Sequence, residues 1–340
     1  MLLAPLFILA SAVFGVSVMF KMKFADDILS KIVFGIPTGI VASSFILLVL
    51  YAINGYFTSP LFYATMALLT VFSIALLYPF KFKELHLLSR NKDLHYAKGY
   101  RNVVVWSFVV YVIIAAVFVS SLYMSKGTLY CIGPAICSDL MYHIGIGNSL
   151  IYTHFPPEYL FTINTKNVFP FIADFYSAIL MRYGLGIRWS TLLPDLMLLF
   201  SAVFCSALLA YKITKNAFMT IATMFIFWFG SDYLMAIIIY SLSSITPLIP
   251  NMLPPLSIVL QGYNIAQMSE PFAILSSAQF IISGWTSIIY QMLMPQRDFI
   301  LGLPIGIMII YAIYELTFEK IRFNKKELVY IGLMAGQAKS

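Results

Sequence analysis

Two residues in the stretch 125–166 have the types and spacing for chemistry: Asp139 and His143. Ser138-Asp139 reads as a helix start. Leu140, Ile144, Ile146 and Leu150 then suit a helix lying along a membrane surface, and Phe155-Pro156-Pro157 ends it. On such a helix residues four apart share a face. A carboxylate and an imidazole placed that way can hold a divalent cation, Mg or Mn, or act as a coupled acid–base pair. The same residues also suit a helix without chemistry, because an Asp near the N-terminus complements the helix dipole by a few tenths to about 1 kcal/mol.

Other charges lie in or beside apolar stretches, where an ionisable group is expensive and points to function by default. Asp174 sits between Ile172 and Phe175. It reads either as part of a site or as the partner of Arg182 or Lys166 on a surface helix, and both Asp174 and Lys166 are candidate substrate-binding residues. Arg297 begins an apolar run, and its guanidinium fork suits the phosphate of a lipid-linked donor. Its other reading is snorkelling to the headgroups, paired with Asp298. Arg182 and Arg188 flank Gly184 and Gly186 and read as turn residues. Asp195 follows Pro194 as a first-turn residue, and Asp232 closes a span.

These residues must be positioned by helices in a membrane. Of the 340 residues, 61% are hydrophobic and 10% charged, whereas a soluble domain carries about 25% charged residues. A span needs roughly 20 apolar residues. Candidate spans are 2–20, 32–53, 61–80, 102–124, 189–211, 216–231, 233–250, 272–292 and 299–317. The segment 167–183 reads as lying on the outer surface, which explains Asp174 and Arg182 without burying them. The run 328–338 is too short to cross. The fold class expected is all-α, a polytopic transmembrane helix bundle of about 8–10 spans with surface-lying helices in an external loop. It divides into a four-span region 1–124, an external loop 125–188 and a multi-span region 189–340. The first span has no basic residue before its apolar run and reads as retained rather than as a signal peptide.

The net charge of +7 comes from short clusters between spans, which is a topology signal and argues against nucleic acid. Lys21, Lys23 and Lys31, then the group from Lys81 to Arg101, then Lys320, Arg322, Lys325 and Lys326 should all face the cytoplasm. With the N-terminus outside, alternating spans deliver 125–166 to the external face of the cell membrane. Trp106, Trp189 and Trp228 read as interfacial anchors. Cys131 and Cys137 share the external loop, where a disulfide and two free thiols both fit, and Cys205 lies in a span. Walker, Rossmann, zinc-protease and nucleophile-elbow motifs are absent from the sequence. The apolar run after Leu328 starts a new segment, so the chain reads as a piece of a longer protein.

The run Asp139-Leu-Met-Tyr-His143, with Phe155-Pro156-Pro157 and Phe169-Pro-Phe-Ile-Ala-Asp174-Phe-Tyr-Ser, resembles the first external loop of GT-C type membrane glycosyltransferases. Met294-Pro-Gln-Arg297-Asp-Phe is similar to a sequence found in related large membrane proteins. Residue 141 is Met where the family commonly has a second acidic residue. The resemblance implies transfer of a sugar from a polyprenyl-phosphate-linked donor at the external face. Asp139 would act as base or cation ligand, His143 would assist, and Arg297 would hold donor phosphate. The alternative is a non-catalytic lipid or solute carrier, or a membrane-complex subunit, built around Asp174 and Glu270.

Overall fold

A computed structural model describes residues 3–25, 27–78, 94–126, 128–131, 134–157, 171–229, 296–318 and 325–337. The expected spans 233–250 and 272–292, the loop residue Lys166, and Asp232 and Glu270 lie outside the described residues. Side chains at 131 and 134–139, which include Asp139, Cys131 and Cys137, also lie outside that description.

The described chain is an all-α polytopic helix bundle. Its helices are α1 (Leu3–Met19), α2 (Ile28–Asn54), α3 (Ser59–Leu77), α4 (Leu94–Ser121), α5 (Pro134–Tyr152), α6 (Ile172–Arg182), α7 (Ile187–Thr214), α8 (Ala217–Phe229), α9 (Arg297–Thr317) and α10 (Lys325–Gln337). Within α2, α3, α4, α7 and α9 lie five segments long and apolar enough to cross a membrane, while α1 and α8 are shorter apolar helices. Each matches an expected span within a few residues at either end, except that α4 begins earlier than expected. The sequence reading lacks a short antiparallel hairpin, β1 (Leu122–Ser125) with β2 (Thr128–Cys131), that follows α4.

Local chemistry explains several boundaries. Asp27 caps α2 by accepting from the Ser30 amide at 2.7 Å, while its other oxygen accepts from the Tyr100 hydroxyl at 2.9 Å. Gly55 ends α2 with φ of 76°, a left-handed conformation that glycine adopts without a Cβ clash. Pro60 sits in the first turn of α3, where its missing N–H costs nothing.

The α1–α2 pair is held by close backbone approach. A Cβ added to Gly15 would stand 1.9 Å from the Gly35 carbonyl oxygen, and one on Gly39 2.0 Å from that of Ser11. Such contact supplies dispersion energy where apolar burial gives no drive between helices in lipid. Gly15→Leu is therefore expected to lower stability by about 1–3 kcal/mol or more, read as a drop in thermal stability by size-exclusion chromatography in detergent.

Contacts fix the direction of each helix. The Gly55 carbonyl accepts from the Phe155 amide, and the Tyr51 hydroxyl donates to the Thr153 carbonyl. Arg188 donates to the Leu122 and Val119 carbonyls at 2.7 and 3.1 Å. The ends of α2, α4 and α5 and the start of α7 thus share one face of the bundle. On the opposite face Glu327 accepts from the Lys23 amide, and Tyr100 lies beside Tyr211. That face carries Lys21, Lys23, Lys31, Lys98, Lys212 and Lys215.

Two ion pairs tie α7 to α9. Asp195 meets Arg297 at 3.0 Å, and Lys212 meets Glu315 at 2.6 Å. The pairs are about 25 Å apart along either axis at about 1.5 Å per residue. They match in the same order along both helices, so α7 and α9 run parallel and both begin at the same face. Glu315 is fully buried. Lys212→Ala removes the cation of this pair and is expected to lower stability, whereas Lys212→Met with Glu315→Gln recovers part of the loss. A denaturation cycle on the four proteins checks this.

Two expectations about the surface helices are corrected. α5 starts at Pro134 rather than at Ser138, and its apolar residues Leu140, Ile144, Ile146 and Leu150 are buried. They are covered by protein instead of facing lipid, and α6 is the main neighbour of α5. α6 is not a surface segment: it packs against α1, α2, α5, α7 and α9, and every residue from Ala173 to Leu180 is buried. Eleven residues reach about 16 Å, too short to span, so the helix buries itself in the bundle instead. Trp228 is a core residue and donates to Ser206 at 3.2 Å, in contrast to an interfacial anchor.

Candidate functional site

Four helices deliver one polar side chain or more to a single buried point. His143 comes from the middle of α5, Asp174 and Ser177 from α6, Asp195 from α7 and Arg297 from the first turn of α9. All five side chains are buried. Gly147 sets how closely α5 approaches: a Cβ there would stand 3.1 Å from the Asp174 carbonyl oxygen and 3.4 Å from the Ala178 Cβ. Gly147 lies one turn after His143, so the same close approach puts the imidazole against Asp174.

Asp174 divides its two oxygens between two partners. Oδ2 lies 2.7 Å from His143 Nδ1, and Oδ1 accepts from Arg297 Nη1 at 3.2 Å. A carboxylate can only accept, so His143 Nδ1 carries the proton. Arg297 completes its fork with Asp195 Oδ1, through Nε at 3.3 Å and Nη2 at 3.0 Å, and with Ser177 Oγ, through Nη2 at 2.6 Å.

One guanidinium between two carboxylates leaves a net negative charge, which a protonated His143 cancels. Burial alone would push the imidazole below its ordinary value of 6.5. The hydrogen bond and charge of Asp174 reverse this, Asp298 adds to them, Arg297 opposes them, and the net displacement is upward.

The structure therefore brings together three of the expected site residues, His143, Asp174 and Arg297. Asp139 belongs to α5 one turn before His143, with its side chain outside the described residues. Two alternative readings fall. Asp174 is not the partner of Arg182, whose guanidinium lies over the Tyr152 ring at 5.3 Å. Arg297 does not snorkel: it is 1% exposed. Its fork is spent on Asp174, Asp195 and Ser177, so a donor phosphate would have to displace one of them.

Asp195 and Ser177 are the residues that sequence reasoning missed. Asp195 reads as a first-turn residue from the sequence because it follows Pro194, a residue common at helix starts. In the structure it lies two turns into α7, where an acidic residue in an apolar helix is itself the signal. Ser177 gives no signal beyond sitting three residues after Asp174 on the same helical face.

No protein-family model, curated protein or solved structure matches the chain.

Proposed function

We propose that the chain is a GT-C-like membrane glycosyltransferase. It moves a sugar from a polyprenyl-phosphate-linked donor to an acceptor at the external face of the cell membrane, where α5 lies. The observation supporting this reading is convergence. Three of the segments that carry the resemblance contribute His143, Asp174 and Arg297, the first and last of them 31 and 123 residues from Asp174, and these meet within hydrogen-bond distance.

The arrangement suits proton transfer. Asp174 on Nδ1 orients the ring and stabilises its protonated form, leaving Nε2 as the basic atom. In the proposed reaction the acceptor hydroxyl attacks the anomeric carbon, the polyprenyl phosphate leaves, and the hydroxyl proton passes to Asp139 or His143. Asp174 and Arg297 then act by positioning His143, rather than by binding substrate.

The described residues do not form a cation cage. Among them no group of three His, Cys, Asp or Glu is placed to hold a metal ion, and both carboxylates nearest Arg297 accept from it. No step is routed through a cation, and added Mg or Mn is a variable of the test. Transfer from a polyprenyl-phosphate sugar to an acceptor glycan by purified protein is expected to be lost in Asp139→Asn, with the fold retained. Undiminished transfer by that variant removes Asp139 from the mechanism.

A second reading, a lipid or solute carrier or an assembly subunit, is favoured by one observation: Arg297 is saturated by protein groups and offers no open fork to a ligand. Uptake into vesicles that survives Asp139→Asn and fails in Asp174→Asn would favour it.

A further inference from the structure

Asp195 has no direct contact with His143 in this arrangement, yet the hydrogen bonds form a chain that joins them. The imidazole is oriented by one oxygen of Asp174, whose other oxygen is fixed by Arg297. The Arg297 guanidinium is planar, so fixing its far edge fixes the direction of the N–H that reaches Asp174. That far edge is held twice by Asp195 Oδ1, from Nε and Nη2, and once by Ser177 Oγ. Asp195 stands on α7 and Ser177 on α6, so the guanidinium is located against two helices at once. Neutralising Asp174 needs one cation and no second carboxylate. The additional buried acid at 195 costs desolvation that a purely stabilising contact would not require.

We propose that Asp195 is a positioning residue for His143, acting through Arg297 and Asp174, with Ser177 setting the roll of the guanidinium. The inference rests on the reading of His143 as the group that handles the acceptor's proton. In that role Asp195 holds the Arg297–Asp174 pair in the place that keeps the proton on Nδ1 of His143, and so governs turnover more than donor affinity.

The test uses the full chain labelled with ¹⁵N-histidine in nanodiscs. The chain has four histidines, and the His143 signal is assigned by its loss in His143→Gln. Above its protonation transition, wild-type His143 is expected to show the Nδ1–H tautomer alone. Asp195→Asn, which keeps an acceptor oxygen and similar volume, is expected to give a mixture of tautomers. In the transfer assay the same variant is expected to lose about 10-fold or more in kcat, with KM for the donor within about twofold. Ser177→Ala, a milder change, shifts the tautomer signal in the same direction and serves if Asp195→Asn fails to fold.

Wild-type tautomer signals in both variants would overturn the proposal. If the wild-type protein transfers no sugar, the glycosyl-transfer reading fails. The tautomer signals still decide the positioning chain, because they do not depend on activity.

Discussion

An Arg297→Met protein is expected to lose about 3–5 kcal/mol of stability, the cost of leaving buried charge without its partner. Arg297 is the cation shared by Asp174 and Asp195, both buried. Methionine fills much of the arginine stem's volume, so the loss reports charge rather than a cavity. Adding Asp174→Asn and Asp195→Asn to Arg297→Met removes the stranded carboxylates and is expected to restore part of the loss. Unfolding in detergent, followed by circular dichroism, compares the three proteins. An Arg297→Met protein as stable as the wild type would mean that the four-helix junction is not held by these pairs.

Asp174→Asn is expected to abolish sugar transfer and to remove a pH dependence of stability. Its carboxylate is the group that raises the His143 pKa against the opposing effect of burial. The sign follows from linkage. A histidine whose folded pKa lies above the unfolded value of about 6.5 gives stability that is fully present below that value. The contribution is lost as pH rises through the higher folded value. Wild-type protein should therefore melt at a higher temperature just below pH 6.5 than on the alkaline side of the folded transition. In Asp174→Asn the amide offers an N–H where the carboxylate accepted, so protonated His143 loses its partner. Burial then pulls its pKa down, and the pH dependence flattens or changes sign. His143→Gln should flatten it as well. A wild-type melting temperature that rises with pH across this window would contradict the arrangement.

The architecture was legible where the signal was length and apolarity. The runs that became α1, α2, α3, α7, α8 and α9 are continuous, and lipid admits helices for such runs. α6 was misplaced because eleven residues with an acid and a base at opposite ends carry the pattern of a surface helix. What overrides the pattern is the set of partners, His143 and Arg297, which are 31 and 123 residues from Asp174. Periodicity along one helix holds no information about contacts at that separation. The β1–β2 hairpin was hidden for a related reason: four-residue strands are too short to show an alternating pattern.

Three of the five side chains at the junction were readable. His143, Asp174 and Arg297 stood out as ionisable residues in apolar surroundings and lay in the segments that resemble a known family. Their mutual contact was not foreseen, and Arg297 had been matched to phosphate because guanidinium forks suit phosphate and carboxylate equally well. The identity of its partner depends on α6 and α7 flanking the first turn of α9, a consequence of tertiary packing. Asp195 was passed over because the preceding Pro194 marks a helix start in sequence, whereas in the structure Pro194 lies inside α7.

On the proposed function, this junction serves a lipid-linked sugar. Binding of a labelled polyprenyl-phosphate sugar to the purified chain in nanodiscs, with and without Mg or Mn, tests it most directly when wild type and Asp139→Asn are compared. Saturable binding by the wild-type protein that weakens in the variant is expected. Absence of binding by a folded wild-type protein, with or without cation, would contradict it and leave the buried network as the core of a carrier or an assembly subunit.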